Sequence, residues 1–376
     1  MYRKTLQTSV AAAALFAFAA AYSAPASAGG DDTFKSGTKA SLKLSGQVSR
    51  AVMYVDDGNE SEVFHVDGDN TSTRWRLQGT GKVTDKFTVS MRLETQIESN
   101  ASNSVTMAGS RSTISAGGFS ERYADVALAY KGLGKLYLGQ GDPASNGTAE
   151  ISLSGLSVAQ YVDAKVWGGG ILFTDSATGA ASSRSAGSAW NHHDGNSRID
   201  RIRYDTPKFA GFMLGASHMQ GDLWDIALKH AGKFGQFKTK AAIAYVDFSQ
   251  TSATVDDQID GSFSVLHDSG LNITVSAGKS DLKSATRNDD DHIYVQLGYI
   301  AKLTDVGTTR FGISWGNAND VGANDDDYTV WSLAVNQNLK AVGADIYAVW
   351  RNHDLDATGE NLDDINVFVI GSRVKF

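Results

Sequence analysis

Several short stretches of this chain carry residue types that could do chemistry. Gly312-Ile313-Ser314-Trp315-Gly316 matches the G-x-S-x-G string that can present a nucleophilic serine. That string needs a strand-turn-helix setting, and here it sits inside an alternating run with no helical pattern after it. His192-His193-Asp194 sets two imidazoles beside a carboxylate. Adjacent side chains do not converge easily, and no third ligand follows at a metal-site spacing. Gly168-Gly169-Gly170 lacks the Lys and the helix of a phosphate-binding loop. Two acidic loops, one with Asp67 and Asp69 and one with Asp325 and Asp327, crowd hard oxygens together. Calcium is the one cofactor they could take, although neither has EF-hand spacing, and a solvated acidic loop is the plainer alternative. No cofactor is required by any other feature, and no convergent set argues for an enzyme.

What remains is charge arranged along strands. Arg74 and Arg76 are two residues apart, and Arg92 and Glu94 repeat that spacing in the next run. Phe87, Val89, Met91, Leu93, Thr95 and Ile97 alternate with Thr88, Ser90, Arg92, Glu94, Gln96 and Glu98. A period of two sends the two sets to opposite faces of a strand. The apolar face covers roughly 10 residues, what a tilted strand needs to cross a bilayer core. Similar runs recur: Leu271, Ile273, Val275 and Ala277 against Asn272, Thr274, Ser276 and Gly278, and Phe311, Ile313 and Trp315 against Arg310, Gly312 and Ser314. Sixteen such runs can be traced between Ser41 and Phe376.

Composition narrows the class. The chain has 376 residues, 39 Gly, 3 Pro, no Cys and a net charge of -8. Without Cys there are no disulfides and no thiolate sites. An acidic chain is a poor nucleic-acid binder, because backbone binding needs clustered positive charge. Arg3 and Lys4, the apolar run from Val10 to Ala21 and the small-x-small triplet Ala26-Ser27-Ala28 read as a secretory signal peptide over residues 1–28, cut before Gly29. Its loss leaves 32 Lys and Arg against 42 Asp and Glu, a mature charge near -10. An exported chain whose strands each have one apolar face fits a closed barrel in lipid, where every backbone group must find a partner. The expected fold is all-β, a transmembrane antiparallel β-barrel of about 16 strands over residues 29–376. Trp75, Tyr130, Tyr204, Trp315 and Trp350 are candidates for interfacial belts. From Gln140 to about Asn196 alternation stops, and a connection of that length is usually functional.

The chain resembles the general bacterial porins, most of all the alphaproteobacterial group. The resemblance rests on Leu42-Lys43-Leu44-Ser45-Gly46, on Gly134-Lys135-Leu136-Tyr137-Leu138-Gly139-Gln140 leading into the long loop, on Arg201-Ile202-Arg203-Tyr204-Asp205-Thr206-Pro207 with Ala210-Gly211-Phe212, and on the terminal Phe376. It spans residues 40–376. It implies a homotrimer of outer-membrane barrels in a Gram-negative bacterium, each passing ions and small hydrophilic solutes by passive diffusion. Phe376 would be read by the barrel assembly machinery, and the rim would meet lipopolysaccharide and outer-membrane lipid. Residues 140–196 take the place of the loop that folds inward and narrows the pore. Asp142, Glu150 and Asp163 thereby become constriction acids, opposed by Arg74, Arg76, Arg92, Arg201 and Arg203, with Arg50 and Arg310 as lesser candidates. Strand phase supports the basic set independently, since Arg74 and Arg76 share a face and Arg92 lies opposite an apolar one. The alternatives are a substrate-specific porin for a sugar or anion, marked by an aromatic slide or a dense basic lane, and a non-channel barrel such as an adhesin.

Overall fold

The computed structural model describes residues 33–36, 40–108 and 119–376. The expected signal peptide, residues 1–28, lies outside the described residues. Among the described residues sixteen barrel strands follow one another: β1 (Ala40–Asp56), β2 (Ser61–Asp67 and Arg74–Lys82, split by a 3-10 turn at Asp69–Thr71), β3 (Phe87–Ile97), β4 (Phe119–Tyr130), β5 (Gly134–Gly141), β6 (Ile199–Asp205), β7 (Phe212–Met219) and β8 (Trp224–Phe234). The second half comprises β9 (Phe237–Asp247), β10 (Val255–His267), β11 (Leu271–Leu282), β12 (Asp290–Thr304), β13 (Gly307–Asn319), β14 (Asp327–Leu339), β15 (Ala344–Asp356) and β16 (Ile365–Lys375). Each pairs antiparallel with the next, and β16 closes on β1 from Gln47 opposite Lys375 to Asp56 opposite Asn366. The seam ends in a reciprocal pair: Gly46 N donates to Phe376 O at 2.9 Å and Phe376 N donates to Gly46 O at 3.0 Å. A Cβ on Gly46 would stand 2.3 Å from the Phe376 ring, so only glycine leaves the terminal aromatic its seat.

Alternation sorts the side chains as the period of two requires. Leu44, Val48, Val52, Phe368, Ile370 and Val374 point out and are exposed, while Gln47, Ser49, Met53 and Arg373 point in and are buried. The same apolar outer face continues round the wall through Leu214, Ile243, Phe263, Leu297 and Leu333. Among the described residues no helix is long and apolar enough to cross a membrane. The strands are the crossing elements, and the outward apolar belt is their lipid face.

The loop between β5 and β6 folds into the barrel and follows the inner wall. Ala144 N donates to Ser217 Oγ on β7 at 2.7 Å, and Ser145 N to Asp225 Oδ2 on β8 at 2.9 Å. Ile151 N and Leu153 N donate to Ser262 and Ser264 on β10 at 3.0 and 2.9 Å. Gln160 accepts from Gln296 on β12 at 2.9 Å and donates to the Ser332 carbonyl on β14 at 2.9 Å. Beyond Gln160 the loop turns apolar. Val162, Val166, Trp167, Ile171 and Phe173 pack with Met53, Val55, Phe64, Tyr347, Val349, Val367 and Val369 into one core inside the barrel. Trp167 is fully buried and its Nε1 donates to Ala159 O at 2.9 Å. Arg351 donates to the Ala164 carbonyl, and His353 Nε2 lies 3.1 Å from the Trp167 carbonyl. Two short strands of the loop, Leu172–Asp175 and Ala181–Ser185, form a small sheet with Leu362–Asp363 of the β15–β16 connection.

This core explains the G-x-S-x-G string. It lies within β13, and its two glycines face the loop. A Cβ on Gly312 would sit 2.4 Å from Leu156, and one on Gly316 2.8 Å from Trp190. The string is a landing strip for loop side chains.

The apolar core predicts the behaviour of one substitution. Trp167→Ala should cost the loop about 3–5 kcal/mol of packing. Limited proteolysis should then cut within residues 142–198 while the strands stay protected; unchanged resistance of that segment would refute the anchoring.

Candidate functional site

The circuit of the inner loop covers the wall from β7 round to β1 and leaves one side open, formed by the second half of β2 with β3–β6. Register turns Arg74 and Arg76 inward, because Arg74 pairs with Gln47 and Gln96, and Arg76 with Glu94. Arg92 lies opposite Gln78 and Asp125 and shares that face. These side chains are held by carboxylates beneath them. Glu94, almost fully buried, accepts from Arg76, from Arg122 Nε at 2.7 Å, and has Arg74 Nε at 3.7 Å. Asp125 takes Arg92 at 2.9 Å and Arg201 at 2.7 Å. Arg203 pairs with Asp205 at 2.8 Å and donates to the Pro143 carbonyl at 3.0 Å.

Asp142 is placed differently from the expectation of an acid opposite the basic wall. It sits within that wall: Tyr123 donates its hydroxyl to the carboxylate, with oxygens at 2.7 and 2.8 Å, and Arg198 Nε lies 3.0 Å from Oδ1. Arg92 stacks on the Tyr123 ring with its guanidinium carbon 3.4 Å from the centroid. Arg201 is only 4 % exposed and donates to the carbonyls of Gly139 and Asp142, so it fixes the root of the loop more than it lines the lumen. Arg122 and Arg198 belong to the wall, although strand phase did not point to them. Arg122 is turned inward by a register shift at Glu94/Thr95, which sets it and Tyr123 on the same side. Arg198 precedes β6 and has no strand phase to read. Of the lesser candidates, Arg50 lies on the outer face against Asp67, and Arg310 is lumenal but holds the loop through Gly155 O at 3.1 Å while pairing with Asp345 on β15 at 3.5 Å.

The acidic side is built by the loop and the β2 turn. Glu150 Oε1 lies 3.5 Å from His192 Nε2, and Asp163 Oδ1 3.5 Å from His192 Nδ1. Asp194 accepts from Gly147 N and Ala149 N, both at 2.9 Å. Asp69 accepts from Asn103 at 2.6 Å. Burial, then the charge of Glu98 and Asp163, pushes the Asp69 carboxyl up to about 8, with Arg122 opposing. Burial alone would lower the His192 imidazole, but Asp163, Glu150 and Asp194 outweigh it and raise it to about 9. Glu150 and Asp163 are therefore brought together, on the side away from Asp142.

The four acids weighed for calcium stay apart. Asp67 accepts from Ser99 N and Asn100 N at 2.8 Å and pairs with Arg50, while Asp69 belongs to the lumenal group. Asp325 is in the β13–β14 turn, where its N donates to Asp320 at 2.7 Å, and Asp327 opens β14 and accepts from Asn317 at 2.6 Å. Among the described residues, three groups that do converge as ligands are Glu150, His192 and Asp194.

A sequence profile described as Gram-negative porin matches residues 9–358. No curated protein matches the sequence. Among solved structures, an anion-selective porin from Comamonas acidovorans is 16% identical, covers 90% of this chain and 100% of its own, and superposes with a TM-score of 0.59. The outer membrane channel DcaP of Acinetobacter baumannii is 14% identical over 91% of this chain and 99% of its own, with a TM-score of 0.58. The trimer form of OmpT from Vibrio cholerae is 15% identical over 90% and 99%, with a TM-score of 0.56. At these identities the structures share the fold, while the profile covers nearly the whole chain. The chain belongs to the Gram-negative porin family, whose members are outer-membrane β-barrels serving as passive diffusion channels.

Proposed function

We propose that solutes pass between the arginine wall and the acidic loop, and that this gap is the constriction. The observation that carries the reading is the segregation of charge. Arg74, Arg76, Arg92, Arg122, Arg198, Arg201 and Arg203 are seven guanidiniums set among four carboxylates, Glu94, Asp125, Asp142 and Asp205. Glu150, Asp163, Asp194 and Asp69 stand on the other side, with His192 among them. A transverse field of this kind orients dipolar solutes and penalises apolar ones. Ions and small hydrophilic molecules are the cargo, moving down their gradients.

An anion preference is the second reading, and the excess of Arg over carboxylate on the wall favours it. The similar Comamonas porin is anion selective. Three copies form the working unit in this proposal; the apolar outer faces of the seam strands and the trimeric OmpT neighbour support it. Phe376, seated on Gly46 at the seam, is the feature the barrel assembly machinery would read. The acidic rim loops are the contact proposed for divalent-bridged lipopolysaccharide.

Planar-bilayer conductance of the detergent-purified protein under a salt gradient tests the pore. Stepwise conductance, in groups of three for a trimer, is expected; folded protein that gives no steps would overturn it. A unit charge about 6 Å from a permeating ion in water is worth about 0.7 kcal/mol, roughly threefold in permeability ratio. Glu150→Gln with Asp163→Asn should shift the reversal potential toward anions by at least that factor. Arg74→Gln with Arg76→Gln should shift it toward cations. Shifts of equal sign would refute opposed walls.

The raised Asp69 carboxyl gives a pH dependence. It is neutral well below pH 8 and gains its charge as pH rises through about 8. Cation preference should therefore increase between pH 6 and pH 9. Asp69→Asn should remove that part of the increase, and an identical pH profile in the variant would rule Asp69 out.

A further inference from the structure

We propose that Glu150, His192 and Asp194 form a binding site for a divalent first-row transition ion, with Zn²⁺ the natural fit, on the acidic side of the constriction. One ligand atom from each of the three lies within 4.8 Å of the others. His192 Nε2 and Glu150 Oε1 are 3.5 Å apart. Tetrahedral Zn²⁺ with bonds of about 2.0–2.2 Å sets its ligands roughly 3.4 Å from one another, so the His192–Glu150 pair already has that spacing and Asp194 has to close in to complete the set.

A second observation comes from the far side of the imidazole. Asp163 is only 8 % exposed. Its Oδ1 and His192 Nδ1 are both buried without a hydrogen-bond partner, and they face each other at 3.5 Å. With one proton kept on Nδ1 toward Asp163, Nε2 faces Glu150 and Asp194 and becomes the ligand atom once the metal displaces its proton. That is the carboxylate–histidine–metal arrangement, in which the outer carboxylate fixes the tautomer and raises ligand basicity. Asp163 is thus a positioning residue.

The neighbouring groups leave this imidazole to the site. His193 turns the other way at a φ of 48°, and its Nδ1 lies 2.9 Å from His292 Nδ1 and its Nε2 3.1 Å from Asp290. Asp194 is locked by the amides of Gly147 and Ala149, which hold the two loop segments together. Glu150 is the exposed member, so the fourth position opens toward the lumen and water. One nitrogen and two carboxylates suit a borderline ion. They fall short of the six to eight oxygens that Ca²⁺ takes.

The consequence for transport rests on the constriction reading above. A bound dication would offset two of the acids that balance the arginine wall, and the pore would turn toward anions.

Isothermal titration of the metal-stripped, full mature protein with Zn²⁺ tests the site directly. One saturable ion per chain is expected, without competition from Mg²⁺ or Ca²⁺. His192→Gln and Glu150→Gln, checked for folding by heat-shifted mobility, should abolish it. Asp163→Asn should weaken binding by about 10- to 100-fold. In bilayers, micromolar Zn²⁺ should move the reversal potential toward anions, and EDTA should restore it. No saturable binding, or equal binding by wild type and His192→Gln, overturns the site. Normal conductance without Zn²⁺ binding would sink the metal and leave the pore standing, whereas Zn²⁺ binding by a protein that does not conduct would do the reverse.

Discussion

Everything in this molecule depends on pairing the last backbone groups of the sheet. In hydrocarbon an unpaired N–H or C=O costs several kcal/mol, so a sheet with an edge is not an option. The chain meets this by joining β1 to β16 and finishing with the reciprocal Gly46–Phe376 bonds. Closure then dictates the rest. Side chains alternate between lipid and interior, the interior is too wide to be filled by strand side chains alone, and an insertion between β5 and β6 can occupy part of it.

How the insertion occupies that space decides what the interior can do. The inner loop divides it into a dry part and a wet part. On one side Trp167, Phe173 and Val162 meet Val367, Val369 and Tyr347 in a packed core. On the other the arginines of β2–β4, with Arg198, stay partly exposed over their carboxylates. The dry part gives the loop a fixed position, and fixed position is what lets Glu150 and Asp163 hold a defined place beyond the wall. Charge segregation is thus a product of apolar packing some way from the charges.

Much of this could be read from the residues. The strands were legible because one face of each is apolar over a bilayer's thickness, as in Phe87 to Ile97. The loop was legible as the one long break in that pattern. Other features were hidden for physical reasons. In Ser61–Asp67 the outward positions include Val63 and His65 and the inward ones Phe64 and Val66, so no apolar-out, polar-in alternation marks that part of β2. Arg122 was hidden by a bulge, since one extra residue reverses the phase. Val367 and Val369 show that alternation identifies two faces without saying that the inner one is wet. Asp142 occupies the expected loop position, but Tyr123 and Arg198 draw it into the wall. Glu150 joins His192 and Asp194 across more than forty residues, a closeness no local spacing could reveal.

The dry core has a consequence for how the protein is made. Its wall residues come from β1 and β2 at one end of the chain and from β12–β16 at the other, and the loop contributes from the middle. These three regions share a core only when the seam is shut. Loop docking and closure are therefore one cooperative event, built from contacts of very long sequence separation, and such contacts form slowly. A chain lacking β16 would have half a binding surface for its own loop. The segment that narrows the lumen also acts as a clasp across the seam, so a barrel with its loop undocked should reopen more readily than one that is complete.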